Sequence, residues 1–356
     1  MQEIIDQFSA TIREAGESNH SLHIHGGGSK AFYGNLPREQ AEALDVTAYR
    51  GIVDYEPTEL VITACAGTPL VKIESLLHEN GQMLAFEPPH FSETATLGGC
   101  IAAGLSGPRR AAAGAVRDFV LGVRILDGRG RDLQFGGRVM KNVAGYDVSR
   151  LMVGSMGTLG VLLEVSLKIL PLPVSEKTLS LEMDAEQAIE QLNRWAGKPL
   201  PVSATCHVDG QLYVRLSGAD SAVQAAHQKL GGEAVADGKH FWQSIREQTH
   251  DFFQSQAALW RLSVKSTVPE LTLPGKQLME WNGALRWLIC PDDSAVDAIR
   301  QAARESGGHA TLFRGEIPGI PVFTSLSPAL EDVHRRLKQQ FDPAGVLNPG
   351  RLYPAF

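Results

Sequence analysis

Hydrophobic residues recur along the chain with two periods, and changes of period mark its elements. Leu22-His23-Ile24-His25 alternates and runs straight into Gly26-Gly27-Gly28, which predicts a short strand ended by a glycine turn. Residues 60–64 (Leu-Val-Ile-Thr-Ala) are apolar enough for a buried strand. The next segment turns helical: Leu70, Ile73, Leu76 and Leu77 share one face, with Thr68 as N-cap, Pro69 at the first helical position and Gly81 past the end. Residues 120–126 and 133–135, joined by Asp127-Gly128-Arg129-Gly130, predict a hairpin. Residues 161–169 alternate as a long strand that Pro171 and Pro173 stop. Beyond them, residues 184–195, opened by the capping-box pair Asp184 and Gln187, read as a helix, as do 221–230 and 294–306. Residues 212–216, 260–264 and 284–289 read as strands.

The mixture of strands and helices predicts an α+β protein, and 356 residues at about 150 per domain predict two domains. Glycine divides the chain unevenly, with 22 of its 36 glycines in residues 1–172. Glycine above background means backbone that bends sharply or lies close to something, so a ligand is expected in that half. The prolines place a boundary at 172, followed by an α+β cap domain over 173–330 and a C-terminal segment, 331–356, returning to the first domain.

A net charge of −7 gives no basic face for nucleic acid, and 43% hydrophobic with 21% charged residues is globular composition. No apolar run nears the ~20 residues of a membrane span. The start, MQEIIDQFSA, has neither a basic nor an apolar leader region, so no signal peptide is expected. Cys65, Cys100, Cys206 and Cys290 are scattered, with no C-x-x-C to hold zinc or an iron–sulfur cluster. No metal site and a reducing, cytoplasmic location follow as expectations.

Four glycine-rich patches could carry chemistry. In His25-Gly26-Gly27-Gly28-Ser29-Lys30, successive backbone N–H groups can converge on phosphate oxygens, with Ser29 adding a hydroxyl and Lys30 a charge. A plain flexible turn explains the same residues, since the loop matches neither G-x-x-x-x-G-K-[ST] nor G-x-G-x-x-G. Residues 95–104 (Ala-Thr-Leu-Gly-Gly-Cys-Ile-Ala-Ala-Gly) suit a wall for a flat aromatic ligand, or close helix packing equally well. Residues 107–114 and 154–161 complete the set.

These patches, in this order, resemble the FAD-binding domain of the vanillyl-alcohol oxidase and p-cresol methylhydroxylase (PCMH) family. The ending, residues 342–351 (Asp-Pro-Ala-Gly-Val-Leu-Asn-Pro-Gly-Arg), resembles its 2-hydroxyacid dehydrogenase branch. Residues 50–63, 87–90, 106–110 and 139–147 are similar, more narrowly, to FAD-binding subunits of bacterial glycolate oxidases. The resemblance implies a two-lobed PCMH-type FAD-binding domain over 1–172. The first loop, His25 to Lys30, would hold the FAD pyrophosphate. Thr96, Leu97, Gly98 and Gly99 would line the flavin, and Gly160 and Val161 would meet the cofactor through backbone. Glu87, Ala102, Gly104, Arg110, Gly114 and Asn348 complete the implied cofactor set. Covalent members carry a histidine where this chain has Ser29, so the FAD is expected to be non-covalent.

The resemblance also implies partners, a catalytic flavoprotein subunit and an iron–sulfur subunit. The implied reaction is oxidation of glycolate or D-lactate to the 2-oxo acid, with membrane association, if any, at the inner membrane through those partners. Competent 2-hydroxyacid members carry a histidine-rich motif in the cap domain, where this chain offers only His309. His309 and His90 are candidate bases, and Arg286 or Arg261 beside tryptophans could hold a carboxylate. A structural role is the favoured reading of each, and also of Lys141 and Asp147, the other candidate cofactor neighbours. His23 is expected to be structural. Three readings stay open: accessory FAD subunit, self-sufficient 2-hydroxyacid dehydrogenase, and scaffold without redox function. A fourth, a UDP-sugar enolpyruvyl reductase-like enzyme, conflicts with the Asn348-Pro349-Gly350-Arg351 ending and the long cap.

Overall fold

The computed structural model describes residues 1–137 and 147–356, so Lys141 and most of the 139–147 motif lie outside the described residues. The chain forms two compact units. Unit 1 comprises residues 1–105, 115–171 and 325–356, and unit 2 comprises 106–114 and 172–324. Segment 106–114, expected in the cofactor-binding half, therefore packs in unit 2.

In unit 1, β1 (Leu22–His25) runs parallel to β2 (Glu42–Asp45). A five-stranded antiparallel sheet has the order β3-β4-β8-β6-β7, formed by Ile52–Glu56 (β3), Val61–Cys65 (β4), Val161–Lys168 (β8), Val120–Leu126 (β6) and Asp132–Gly136 (β7). Two short strands, Gln82–Met83 (β5) and Leu170–Pro171 (β9), pair beside it. The hairpin expected from residue 120 onward is β6 and β7. Alternation in β8 predicts one wet face, yet the strand is buried on both, because it lies at the centre of the sheet. Its polar positions find partners there: Ser166 bonds Thr63 at 2.8 Å, and Glu164 accepts from Tyr49 (2.9 Å) and Arg124 (2.7 Å).

The N-terminal helix Gln2–Ser18 buries Ile5, Phe8, Ile12 and Ala15 against Leu22, Leu44, Val161 and Leu347. Helix Leu70–Glu79 buries Leu70, Ile73 and Leu77. Thr68 is not its cap, because its hydroxyl is engaged with the backbone of Gly51, accepting from the N–H (2.9 Å) and donating to the carbonyl (3.1 Å).

Unit 2 is built on one eight-stranded antiparallel sheet. Its strands are Ser175–Glu182 (β10), Val202–Val208 (β11), Gln211–Gly218 (β12), Glu233–Ala234 (β13), Ala258–Ser263 (β14), Lys276–Glu280 (β15), Leu285–Cys290 (β16) and His309–Arg314 (β17), in the order β13-β10-β12-β11-β15-β16-β14-β17. Helix Ala185–Ala196, with the expected Asp184–Gln187 capping box, packs Ile189 and Leu192 on Leu179 and Leu212. Helix Val296–Glu305 packs Ile299 and Ala303 on Trp260 and Leu312. The strands that the sequence did not reveal, such as β10 (Ser-Glu-Lys-Thr-Leu-Ser-Leu-Glu), are polar because side chains on one face are hydrogen-bonded rather than packed. Glu176, for example, takes Arg109 at 2.9 Å and Ser217 at 2.8 Å. All four cysteines are buried thiols, and burial pushes Cys100 up to about 12.

Candidate functional site

Unit 1 holds a cleft of about 320 Å³, at the lower end of the range of small-molecule sites, about 300–1,000 Å³. Its first wall is the end of β1 and the loop beyond it: His23, His25, Gly26, Gly27, Gly28, Ser29 and Lys30. The loop lies tight on the chain opposite. A Cβ on Gly26 would come within 2.5 Å of the Thr96 hydroxyl, and one on Gly27 would overlap the Thr94 carbonyl. The Thr94 hydroxyl in turn donates to the Gly27 carbonyl. The glycines therefore let two backbones meet at the wall of the cleft.

The second wall begins at Thr96, whose hydroxyl accepts from the Gly99 N–H (3.2 Å) and caps helix Leu97–Ala103. Gly98, Gly99 and Ala102 face the cleft from that helix. The third wall is the turn before β8, with Met156, Gly157 and Gly160. The C-terminal segment closes the fourth through Asn348 and Arg351.

That last wall is fastened by polar bonds. Asn348 is 5% exposed, accepts from the Ile24 N–H (2.7 Å) and donates to the Met156 carbonyl (2.6 Å), so it ties β1 to the turn. Lys338, on helix Pro328–Phe341, is buried and donates to the carbonyls of Thr158 (2.9 Å) and Leu347 (2.6 Å). Its counter-ion Asp342, 2.7 Å away, also accepts from the Leu347 N–H (2.8 Å). Arg351 donates to the Tyr33 carbonyl (2.7 Å) and to that of Asn35.

The charged side chains of the cleft, Lys30 and Arg351, are both cationic. Lys30, Arg351, His23 and His25 line it, and no carboxylate does among the described residues. Lys30 is also bonded to Ser29 and to the His90 carbonyl, both at 3.3 Å. Small walls, a glycine loop rich in N–H donors and four basic side chains together suit a flat ligand carrying a diphosphate, which is what FAD requires.

Of the cofactor residues implied by sequence, His25, Gly26, Gly27, Gly28, Ser29, Lys30, Thr96, Gly98, Gly99, Ala102, Gly160 and Asn348 are brought together here. Six others are not. Leu97 and Val161 are fully buried core side chains. Gly104 adopts φ +67 to end its helix, and a Cβ there would lie 2.9 Å from Gly154 Cα. Glu87 sits in a turn at φ +47, its N–H bonded to Leu84. Arg110 and Gly114 belong to unit 2, where Arg110 stacks 4.4 Å over Trp281 and Gly114 ends a short helix.

None of the candidate catalytic residues is among the residues that line the cleft. The His90 imidazole faces Glu74 at 3.1 Å. Arg286 is an interior residue of unit 2 that donates to Gly283 (2.6 Å) and Val268 (2.8 Å) carbonyls; burial lowers it to about 10. His309 opens β17 of unit 2, and Arg261 stacks on Trp281 and Trp287. Sequence reading missed His23, Arg351 and Gly157 as lining residues. The alternation of β1 puts His23 and His25 on one face, which was the available signal for His23.

Residues 3–136 match the family described as FAD binding domain. The chain is 51% identical over 352 residues to the glycolate oxidase subunit GlcE of Escherichia coli K12, covering 99% of this chain and 97% of that one. It belongs to the GlcE family of FAD-binding oxidoreductase subunits. Another relative, the glycolate oxidase subunit GlcD of Bacillus subtilis, is 23% identical across 98% of this chain and 87% of its own. A solved structure of alkyldihydroxyacetonephosphate synthase has the same fold, with TM-score 0.65 and 16% identity, over 96% of this chain and 73% of that one. The family membership makes FAD the cofactor.

Proposed function

We propose that this chain is the FAD-binding subunit of a multi-subunit glycolate oxidase, and that its FAD is held non-covalently in the unit 1 cleft. The observation that carries the reading is identity of 51% along nearly the whole chain to a glycolate oxidase subunit, together with a basic, glycine-walled cleft inside the matched domain. FAD when bound supplies a two-electron acceptor, and the protein orients it and sets its electrostatic surroundings.

The chain's own residues divide that work. Loop 26–30 offers backbone N–H groups and the Lys30 ammonium to the diphosphate, and Ser29 offers a hydroxyl rather than an attachment point. The small residues Gly98, Gly99 and Ala102 leave room for an aromatic ring system against backbone. Asn348 and Lys338 hold the turn 154–160 in place. Electrons derived from glycolate, or from D-lactate, leave through an iron–sulfur partner, since this chain has no C-x-x-C. A catalytic flavoprotein partner supplies the base and substrate contacts that His90, His309 and Arg286 do not bring to this cleft. No helix among the described residues is long and apolar enough to cross a membrane. Any hold on the inner membrane runs through the partners.

An absorbance spectrum of the purified chain, before and after acid precipitation, tests the cofactor assignment. Oxidised-flavin bands released by acid are expected. Anaerobic glycolate and D-lactate are then added to the chain alone and to the assembled complex. Bleaching only in the complex supports the accessory-subunit reading. Bleaching of the isolated chain would replace it with a self-sufficient dehydrogenase, and a flavin that never bleaches would leave a scaffold.

A further inference from the structure

One cluster in the cleft exceeds what the glycine loop needs. His23 and His25 project from the same face of β1 with ring centroids 5.5 Å apart and planes tilted by 39°. Both line the cleft, and so does Arg351, which arrives from the opposite end of the sequence. Arg351 is 8% exposed, and both of its bonds described above go to neutral carbonyls.

The charges around the pair come from every element packed on it. Arg351 stands on the C-terminal segment and Lys30 on the loop after β1. Asp45 on β2 is the register partner of His25, and its carboxyl is held low mainly by hydrogen bonds to Thr47 and, more weakly, by His25. Glu42, also on β2, is turned to His20 at 2.7 Å. The His23 imidazole is held below the usual histidine value by burial, then by the neighbouring charges of His25 and Arg351. In the free protein the charged form of His23 is thus disfavoured, although the ring faces a cleft suited to a dianion.

We infer that His23, His25 and Arg351 form an anion-recognition cluster for the cofactor's diphosphate, and that FAD binding draws a proton onto the histidine pair. The inference rests on the FAD reading above. A dianion placed among these groups opposes the repulsion from Arg351 and favours the charged imidazole. The protonated ring then adds a charge-assisted hydrogen bond. By linkage, a group held low in the free protein and raised in the complex takes up a proton on binding. Affinity therefore rises as pH falls through the ordinary histidine range, about 6.5.

The test is calorimetric titration of FAD into the flavin-free chain at pH 7, in two buffers of very different ionisation enthalpy. The expected result is a buffer-dependent heat corresponding to net proton uptake, with affinity at pH 6 about threefold tighter than at pH 8, rising toward the tenfold limit of a one-unit shift at lower pH. Riboflavin, which lacks the diphosphate, is expected to show no such uptake. His23→Gln is expected to remove most of the uptake while the chain still binds FAD more weakly, and His25→Gln to remove part. Equal heats in both buffers, or uptake that is undiminished when both His23→Gln and His25→Gln are present, would overturn the inference while leaving the cofactor assignment standing. A chain that binds no FAD at any pH would overturn both. The wild-type buffer comparison needs no variant, so a substitution that misfolds does not remove the test.

Discussion

The two units use positive charge in opposite ways. In unit 1, Lys30, His23, His25 and Arg351 face an open cleft without a carboxylate on its walls. In unit 2, the cationic side chains act within the unit's own packing. Arg109 and Arg215 converge on Glu176 at 2.9 and 3.8 Å, Arg286 holds two carbonyls, and Arg110 and Arg261 lie on Trp281. In sequence alone Arg351 beside Gly350 does not differ from Arg261 beside Trp260 or Arg286 beside Trp287 as a candidate anion-binding cation. What separates the two sets is that Lys30 and Arg351, though also bonded to neighbouring groups, line an open cleft, whereas the unit 2 cations are bonded to or stacked on their own unit's side chains and carbonyls.

The sharpest ways to break this comparison act on stability and cofactor affinity separately. Lys338→Met leaves the Asp342 carboxylate buried without its ion partner, so it should destabilise unit 1 by about 3–5 kcal/mol and lower flavin content with it. Urea unfolding of the flavin-free chain measures this, and Asp342→Asn alongside Lys338→Met should recover part of the loss. Gly27→Val pushes a side chain into the Thr94 carbonyl. Overpacking of this kind costs about 1–3 kcal/mol, and it should appear as a loss of FAD binding larger than the loss of stability, compared by flavin absorbance and thermal melting. Arg286→Met should cost about 1–3 kcal/mol of stability from two orphaned carbonyls, with FAD affinity unchanged. The smallest effect is expected for Arg110→Gln, which removes a cation–π contact of about 0.5–1 kcal/mol and should leave the flavin spectrum as it was. A large loss of FAD affinity in either unit 2 variant would erase the distinction between the units.

Several of these features were legible in the chain. Gly26, Gly27 and Gly28 follow an alternating strand, and the small residues at 98–102 leave no side-chain bulk, so the walls of the cleft were readable from local composition. Capping residues were readable where chemistry is local, as at Asp184. Thr68 shows the limit, since its hydroxyl is taken by Gly51, seventeen residues earlier, rather than by the helix it precedes. Leu97 and Gly104 have the composition of a flavin wall, yet the turn of the helix directs Leu97 into the core and Gly104 against Gly154. Arg351 was not read as a wall residue although the return of 331–356 and the role of Asn348 were expected, because the irregular ending beside Leu22 has no period to show which side chains turn to the cleft. The N-terminal helix was not among the elements read from the chain, although Ile5, Phe8, Ile12 and Ala15 have the spacing of one helical face.

The comparison is tested most directly by equilibrium dialysis of FAD against the flavin-free chain, its Arg351→Gln variant and its Arg261→Gln variant, with folding checked by circular dichroism. Removing the unit 1 cation is predicted to weaken FAD binding about tenfold or more, as for a charge-assisted hydrogen bond worth about 1.5–3 kcal/mol, while removing the unit 2 cation leaves it within twofold. Equal affinity in the wild type and Arg351→Gln, or the larger loss in Arg261→Gln, would contradict the assignment of cofactor recognition to the unit 1 cleft.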